Sequence, residues 1–125
     1  MSKQQGVLLI EDDPLLRSLY QRSLEKAGYR VVIAEHGQEG LDAIRGGSFS
    51  LDLVLLDIMM PVMDGLEFLR QLKDEASAAK LPVVVLSNLD SDDVITEALD
   101  LGALDYLVKV DTGPSDLIKK VKKFI

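Results

Sequence analysis

The stretch LDLVLLDIMMPVMDGLEF, residues 51–68, decides the fold of this chain. An apolar run over residues 53–56 ends at the carboxylate of Asp57, and three more apolar residues follow before Pro61. Leaving a carboxylate buried and unpaired costs several kcal/mol, which is comparable with the net stability of a whole domain. The run therefore predicts a buried strand, followed by a carboxylate that either reaches water or has its charge offset by a partner.

The composition is that of one globular domain. The chain has 125 residues, of which 47% are apolar and 28% are charged, and a chain of this size buries a core without crosslinks. We expect a single domain over residues 1–125. The short polar segment Met1 to Gly6 is not a signal peptide, and no apolar stretch approaches the roughly 18 residues of a membrane span. The sequence therefore predicts a cytoplasmic protein that does not enter a membrane.

The charge and the lack of cysteine exclude several kinds of site. The chain has no Cys and a net charge of -7, so disulfides and thiolate metal sites are excluded. The negative charge argues against direct nucleic-acid binding, because that binding depends on Lys and Arg neutralising phosphates. Four lysines near the end are interpreted as a solvated face of the last helix, where they favour its carboxyl end. They are Lys119, Lys120, Lys122 and Lys123.

Short apolar runs alternate with segments of helical period along the whole chain. The runs are too short for helices and are mostly Val, Ile and Leu, which is typical of strands buried on both faces of a parallel sheet. They are Val7 to Ile10, Val31 to Ala34, Leu53 to Leu56, Val83 to Leu86 and Tyr106 to Val108. The sequence therefore predicts five strands, each followed by a helix.

Helix start and stop signals divide the segments between the strands. The predicted helices begin at Asp13-Pro14, Gly37, Asp64, Ser91 or Asp92, and Pro114. A (βα)5 pattern with right-handed crossovers predicts an α/β, flavodoxin-like doubly wound sheet with strand order 2-1-3-4-5. Ligands of such folds bind outside the carboxyl ends of the strands, where the strand order reverses.

Polar residues follow four of the predicted strands and should meet at that edge of the sheet. Glu11 and Asp12 follow the first strand, Asp57 the third, Ser87 the fourth and Lys109 the fifth. Three carboxylates at close range repel one another unless a cation intervenes, and an oxygen-only ligand set suits Mg²⁺. The alternative, a set of helix caps, fits the neighbouring acidic residue before Pro14 but does not explain Asp57.

An ammonium, a hydroxyl and a bound divalent cation around one carboxylate would form a cradle for a phosphoryl group. Phosphoryl transfer depends mostly on positioning and on stabilisation of charge, and a carboxylate can act as the nucleophile. The predicted chemistry is transient phosphorylation of Asp57, which would give an aspartyl phosphate.

Four stretches identify the family that this chain resembles. VLLIEDDPLLR (7–17), LVLLDIMMPVMDG (53–65), PVVVLSN (82–88) and GALDYLVK (102–109) resemble, in order and spacing, the receiver domain of two-component response regulators. The likeness extends over essentially the whole chain, which is similar to the single-domain regulators of the chemotaxis type. It implies a phosphorelay protein that receives its phosphoryl group from a sensor histidine kinase or a histidine phosphotransfer protein.

The resemblance also implies roles for individual residues at the site. Asp57 would be the phosphoacceptor and a metal ligand, Asp12 a direct metal ligand and Glu11 a ligand acting mainly through water. The backbone carbonyl of Met59 would complete the protein ligands of Mg²⁺, which Mn²⁺ could replace. Lys109 would pair with the phosphoryl oxygens.

The same resemblance implies a switch rather than an enzyme that acts on other molecules. Ser87 would follow the phosphoryl group, and Tyr106 would rotate inward when Ser87 moves. The surface formed by the fourth helix, the fifth strand and the fifth helix would then bind a downstream protein or a second copy of the chain. The only reactions catalysed would be phosphorylation and dephosphorylation of Asp57 itself.

Three positions differ from the usual pattern of the family. Val110 follows Lys109 where the family usually has Pro with a cis bond, so we expect the loop after Lys109 to run differently. Asn88 replaces the very small residue that usually follows the switch hydroxyl, and it could crowd or hydrogen-bond the phosphoryl group. Met59, two residues beyond the acceptor, is apolar, so we expect an altered dephosphorylation rate.

Other functions fit the residues of this chain less well. An aspartate-nucleophile phosphatase needs a carboxylate two residues after Asp57, where this chain has Met59. A nucleotide-binding site lacks both glycine-rich phosphate motifs, and DSDD at residues 90–93 lacks the glycine of a calcium loop. A third alternative is a receiver domain that signals by contact, without phosphorylation. His36 is interpreted as an exposed loop residue rather than a phosphohistidine carrier.

Overall fold

Five strands and five α-helices alternate in the computed structural model, which describes residues 4–75 and 80–125. The strands are β1 (Gly6–Ile10), β2 (Arg30–Ala34), β3 (Leu53–Leu56), β4 (Val83–Ser87) and β5 (Asp105–Val108). The helices are α1 (Pro14–Lys26), α2 (Gly37–Gly46), α3 (Gly65–Lys73), α4 (Asp92–Asp100) and α5 (Pro114–Phe124). A short 3₁₀ turn, Lys109–Asp111, follows β5. Residues 1–3 of the polar segment Met1 to Gly6 lie outside the described residues.

The strands form one parallel sheet in the order β2-β1-β3-β4-β5. This confirms the predicted doubly wound fold and its strand order. The order reverses between β1 and β3, which pair from Val7 opposite Leu53 to Ile10 opposite Leu56. The segments that follow these two strands therefore start from neighbouring points on the same edge of the sheet.

The sheet is covered on both faces, which explains why its strands show no in-and-out alternation of polarity. Val7 and Leu9 face a core that includes Leu24 of α1 and Leu117 of α5. The alternate side chains, such as Leu8, face a second core against α2, α3 and α4. Every residue of β1, β3 and β4 is buried, so the central strands hold the site edge rigidly. No helix within residues 4–75 and 80–125 is long and apolar enough to span a membrane.

Side chains from the preceding loops cap several helices, as the sequence indicated. Asp13 accepts hydrogen bonds from the backbone N–H groups of Leu15 and Leu16, and Ser91 caps α4 by accepting from the N–H of Val94. Such caps satisfy backbone donors that have no partner inside the helix. Asp13 is therefore occupied by the start of α1 and is not part of the acidic group at the site.

One expectation about an individual side chain is wrong. His36 was expected to be exposed in a loop, but it is half-buried and caps α2, its Nδ1 accepting from the N–H of Glu39 at 3.4 Å. An imidazole nitrogen can take the place of the usual capping oxygen. Because His is not among the usual capping residues, the sequence did not indicate this role.

Candidate functional site

Glu11, Asp12, Asp57, Ser87 and Lys109 all lie at the carboxyl edge of the sheet. Ser87 is the last residue of β4, and the other four follow the ends of β1, β3 and β5. The sequence predicted this convergence from the parallel topology alone. Glu11, Asp57 and Ser87 are at most 5% exposed, so these three side chains are shielded from water.

The three carboxylates form an acidic group that could hold a metal ion. One oxygen from each of Glu11, Asp12 and Asp57 lies within 4.8 Å of the others. Glu11 and Asp57 are buried, whereas Asp12 is exposed and reaches the solvent side. An oxygen-only donor set that is open to water on one side suits a hard divalent cation such as Mg²⁺, which keeps several water ligands. The residues present therefore fit a magnesium ion.

Lys109 connects two of these carboxylates. Its Nζ lies 2.7 Å from Oδ2 of Asp57 and 2.7 Å from Oε1 of Glu11. Burial by itself would lower the pKa of Lys109, but the hydrogen bonds to Asp57 and Glu11 outweigh it and raise that pKa. The ammonium group therefore stays charged and offsets the repulsion between the two buried carboxylates.

Glu11 is the carboxylate most affected by its surroundings. Burial raises its pKa from 4.5 to about 7, and the negative charge of Asp57 adds to this rise. Hydrogen bonds from Lys109 and from the N–H of Asp13, the latter at 3.1 Å, act in the opposite direction. In the absence of a cation the site therefore holds its negative charge at an energetic cost, which favours binding of a positive ion.

Ser87 and Tyr106 are joined through the backbone of Leu89. The Oγ of Ser87 accepts a hydrogen bond from the N–H of Leu89 at 3.3 Å, and the hydroxyl of Tyr106 donates to the carbonyl of the same residue. Burial raises the pKa of Tyr106. The ring of Tyr106 is half-buried and its hydroxyl is directed toward the segment that follows β4.

The loop after Asp57 brings its backbone close to the phosphoacceptor candidate. The N–H of Met59 donates to Oδ1 of Asp57 at 3.3 Å, while 63% of the residue Met59 is exposed. A Cβ on Gly65 would lie 2.4 Å from the carbonyl oxygen of Asp57, so only glycine permits this approach. Val62 adopts a φ of 68°, and the N–H of Met63 bonds to the carbonyl of Pro61 across it at 2.7 Å. The loop is thus a γ-turn held in a strained conformation.

The two unusual positions beside the site contact each other. Oδ1 of Asn88 accepts a hydrogen bond from the backbone N–H of Val110 at 3.0 Å. No peptide bond in residues 4–75 and 80–125 is cis, so the bond between Lys109 and Val110 is trans. The turn after Lys109 therefore does not use the cis proline usual in the family that the sequence resembles.

Arg17 is a residue that the sequence analysis did not single out. From α1 its Nη1 donates to the carbonyls of Glu11 at 2.9 Å and of Asp12 at 3.4 Å, and its Nη2 lies 3.5 Å from Glu35 after β2. Only 17% of its side chain is exposed. Arg17 thereby anchors the backbone that carries two of the acidic residues. The sequence did indicate that Arg17 lies about one helical turn after the Asp13 cap, and therefore close to the residues that precede the helix.

Residues 7–122 match the sequence model of the family described as the response regulator receiver domain. A relative from Bacillus subtilis, the uncharacterised transcriptional regulatory protein YkoG, is 43% identical over 103 residues, which are 82% of this chain and 43% of that protein. The chain thus spans less than half the length of this curated relative.

Solved structures show the same architecture. The chemotaxis protein CheY4 of Vibrio cholerae superposes with a TM-score of 0.89 at 28% identity, covering 98% of this chain and 100% of that one. The phosphorylated cyanobacterial phytochrome response regulator RcpA superposes with a TM-score of 0.84 at 30% identity, covering 97% of this chain and 91% of that one.

Proposed function

The chain belongs to the response regulator receiver domain family, and we propose that it is a switch in which Asp57 is the residue that accepts the phosphoryl group. Members of this family act in two-component phosphorelay signalling, and phosphorylation of an Asp is characteristic of them. The assignment to Asp57, the metal ligands, the kinase partner and the output surface are parts of the proposal.

The observation that carries the proposal is the position of Lys109 Nζ, 2.7 Å from Oδ2 of Asp57, at the edge that also holds the acidic group. A carboxylate oxygen of Asp57 attacks phosphorus, so that an O–P bond forms while the bond from phosphorus to the donor's imidazole nitrogen breaks. That nitrogen keeps the electron pair and takes up a proton. Lys109 and the hydroxyl of Ser87 then stabilise the charge on the phosphoryl oxygens. The product is 4-aspartylphosphate.

We further propose that Mg²⁺ is the cofactor, with Mn²⁺ as a substitute. Asp12 and Asp57 would hold it directly through carboxylate oxygens and Glu11 mainly through water, together with the backbone carbonyl of Met59. The bound cation supplies positive charge that offsets the charge of the transferred group. The close grouping of the three carboxylates supports this part of the proposal.

The reactions proposed here are confined to the chain's own Asp57. A phosphatase acting on other molecules would need a general acid two residues beyond the nucleophile. That position is Met59, whose thioether cannot donate a proton. Turnover of added phosphate esters is therefore not expected.

The proposed phosphodonor is a sensor histidine kinase or a histidine phosphotransfer protein. The proposed output surface is α4, β5 and α5, which flank Tyr106, and phosphorylation would bias its packing toward binding a downstream protein or a second copy of the chain. The first curated relatives are longer proteins, several of them named transcriptional regulators, so any DNA contact is proposed for other parts of such proteins. The cytoplasmic location stays a prediction from the sequence.

Intact mass measurement after incubation with acetyl phosphate and Mg²⁺ tests the proposal. The wild-type chain should gain the mass of one phosphoryl group, and Asp57→Ala should gain none. Omission of Mg²⁺ should abolish the adduct in the wild type. An adduct that persists in Asp57→Ala, or no adduct in a wild-type sample shown by calorimetry to bind Mg²⁺, would contradict the assignment.

A further inference from the structure

Ser87 is the last residue of β4, and Lys109 directly follows β5. The backbone pairing between these two strands ends at this point. Ser87 and Val108 are the last paired residues of β4 and β5. Beyond them the chain enters the loop before α4 on one side and the 3₁₀ turn Lys109–Asp111 on the other. Besides its own contacts with Glu11 and Asp57, the position of Lys109 therefore depends on what holds this turn beyond the end of the sheet.

The local hydrogen bonds of the turn fix its shape but not its place. The N–H of Thr112 donates to the carbonyl of Lys109 at 3.1 Å, and the hydroxyl of Thr112 donates to the carbonyl of Val108 at 2.8 Å. Both bonds lie within residues 108–112, so they tie the turn to the last residue of β5 but make no contact with the segment that follows β4.

Asn88 supplies a bond between the two segments. Its Oδ1 lies 3.0 Å from the N–H of Val110, the residue directly after Lys109, and so extends the pairing of β4 with β5 beyond Ser87. Val110 is 79% exposed, so its own side chain does not pack the turn in place. The backbone N–H is the group that matters, and only a residue other than proline at position 110 can provide it.

We propose that Asn88 is a positioning residue that fixes the turn carrying Lys109 and couples it to the segment carrying Ser87; this rests on the function proposed above for Asp57. The hydroxyl of Tyr106 binds the carbonyl of Leu89 on the same segment. Residues 88 and 89 are thus tied to β5 and to the turn at two points. A displacement of Ser87 toward a phosphoryl group is transmitted through Asn88 to the backbone beside Lys109.

Exchange of the Val110 amide with water, followed by NMR, tests the bond itself. Asn88→Ala should speed exchange at Val110 by roughly three- to tenfold, the range expected for one exposed hydrogen bond. Asn88→Asp keeps an acceptor oxygen and should preserve the slow exchange. Val110→Ala keeps the N–H and is the matched control. Exchange that is unchanged in Asn88→Ala, or that speeds equally at all amides, would overturn the proposal.

Affinity for beryllium fluoride, a tetrahedral analogue of the phosphoryl group, tests the coupling to Lys109. With Mg²⁺ present, Asn88→Ala should weaken binding by roughly three- to tenfold in the wild-type background. In a Lys109→Met background the same substitution should change nothing, because the ammonium group through which Asn88 acts is absent. Equal weakening in both backgrounds would show that Asn88 contacts the anion directly and would overturn the positioning role.

The two experiments separate this inference from the proposed function. If the wild-type chain forms no phosphoryl adduct on Asp57, the function fails whatever the exchange of Val110 shows. If the adduct forms but Asn88→Ala alters neither exchange nor affinity, only the role of Asn88 fails.

Discussion

The ammonium nitrogen of Lys109 lies 2.7 Å from Oδ2 of Asp57, a carboxylate that follows a strand with every residue buried. The same nitrogen lies 2.7 Å from Oε1 of Glu11. Removing one partner of such a desolvated, hydrogen-bonded pair leaves an uncompensated buried charge, so each partner is strongly needed once the other is present. Lys109 thus offsets in the metal-free protein the charge that a divalent cation would offset in the active one.

We expect Lys109→Met to destabilise the metal-free protein by about 1.5–3 kcal/mol, because two buried carboxylates lose their charged hydrogen-bond partner. Urea unfolding checks the free energy. The exposed Lys119 on α5 provides the matched control, since Lys119→Met should change stability by less than about 0.5 kcal/mol. Equal effects of the two substitutions would contradict a structural role for the Lys109 contacts.

Glu11 should make the stability of the metal-free protein depend on pH. Its pKa is raised from 4.5 in the unfolded chain to about 7 in the native state, so the native state binds the proton more tightly. Its stabilising contribution is therefore complete below pH 4.5 and is lost as the pH rises to about 7. The difference in unfolding free energy between wild type and Glu11→Gln should fall across this range.

Urea unfolding at about pH 5 and about pH 8 measures that difference. Glu11→Gln is nearly isosteric and cannot titrate, so it removes the contribution of this one group. Added Mg²⁺ should restore the stability of the wild type at the higher pH. A difference that is the same at both pH values would show that Glu11 titrates normally.

Gly65→Ala should destabilise the protein by about 1–3 kcal/mol through overpacking. Its Cβ would meet two backbone positions, the carbonyl oxygen of Asp57 at 2.4 Å and the Cα of Ile58 at 2.8 Å. Gly46→Ala at the end of α2 is the control, because no atom lies within 4 Å of its Cβ. It should be neutral or slightly stabilising, and thermal unfolding of the two variants compares them.

Val62→Asn should stabilise the protein by about 0.5–1.5 kcal/mol, because Asn tolerates a positive φ better than a β-branched residue does. Val62 has a φ of 68° and is 80% exposed, so little packing is lost. Val110→Asn, at an exposed Val without positive φ, controls for polarity. Chemical denaturation compares the two variants. If Val62→Asn gains no more stability than Val110→Asn, the backbone at Val62 does not store strain.

Arg17→Met should cost about 1–2 kcal/mol, since the carbonyls of Glu11 and Asp12 lose a charged donor. Glu35→Gln removes only the partner at 3.5 Å, whose side chain is 61% exposed, so it should cost less than about 0.5 kcal/mol. Urea unfolding of both variants distinguishes anchoring of the loop from a surface ion pair. Similar losses of stability in the two variants would show that Arg17 stabilises the protein through its ion pair with Glu35 instead.

Much of the fold followed from local patterns. Apolar runs such as Leu53 to Leu56 predicted buried parallel strands, and the confirmed order then placed Asp57, Ser87 and Lys109 at one edge of the sheet. The cap at Asp13 was also predicted, and that of α4 was narrowed to Ser91 or Asp92, because a cap is an interaction between residues a few positions apart. The capping role of His36 was not predicted, since it depends on neighbouring packing that the hydrophobic period of the sequence does not specify.

The sequence by itself determined the strands, the helices, the topology and the set of chemical groups at the site, because hydrophobic period and strand ends are local properties. Only the tertiary structure decided which groups touch. Lys109 between Glu11 and Asp57, Arg17 on the carbonyls of the acidic loop, and Asn88 on Val110 are contacts between separate segments. Such contacts depend on rotamers and on the placement of neighbouring elements to a fraction of an ångström, which no residue pattern along one chain encodes.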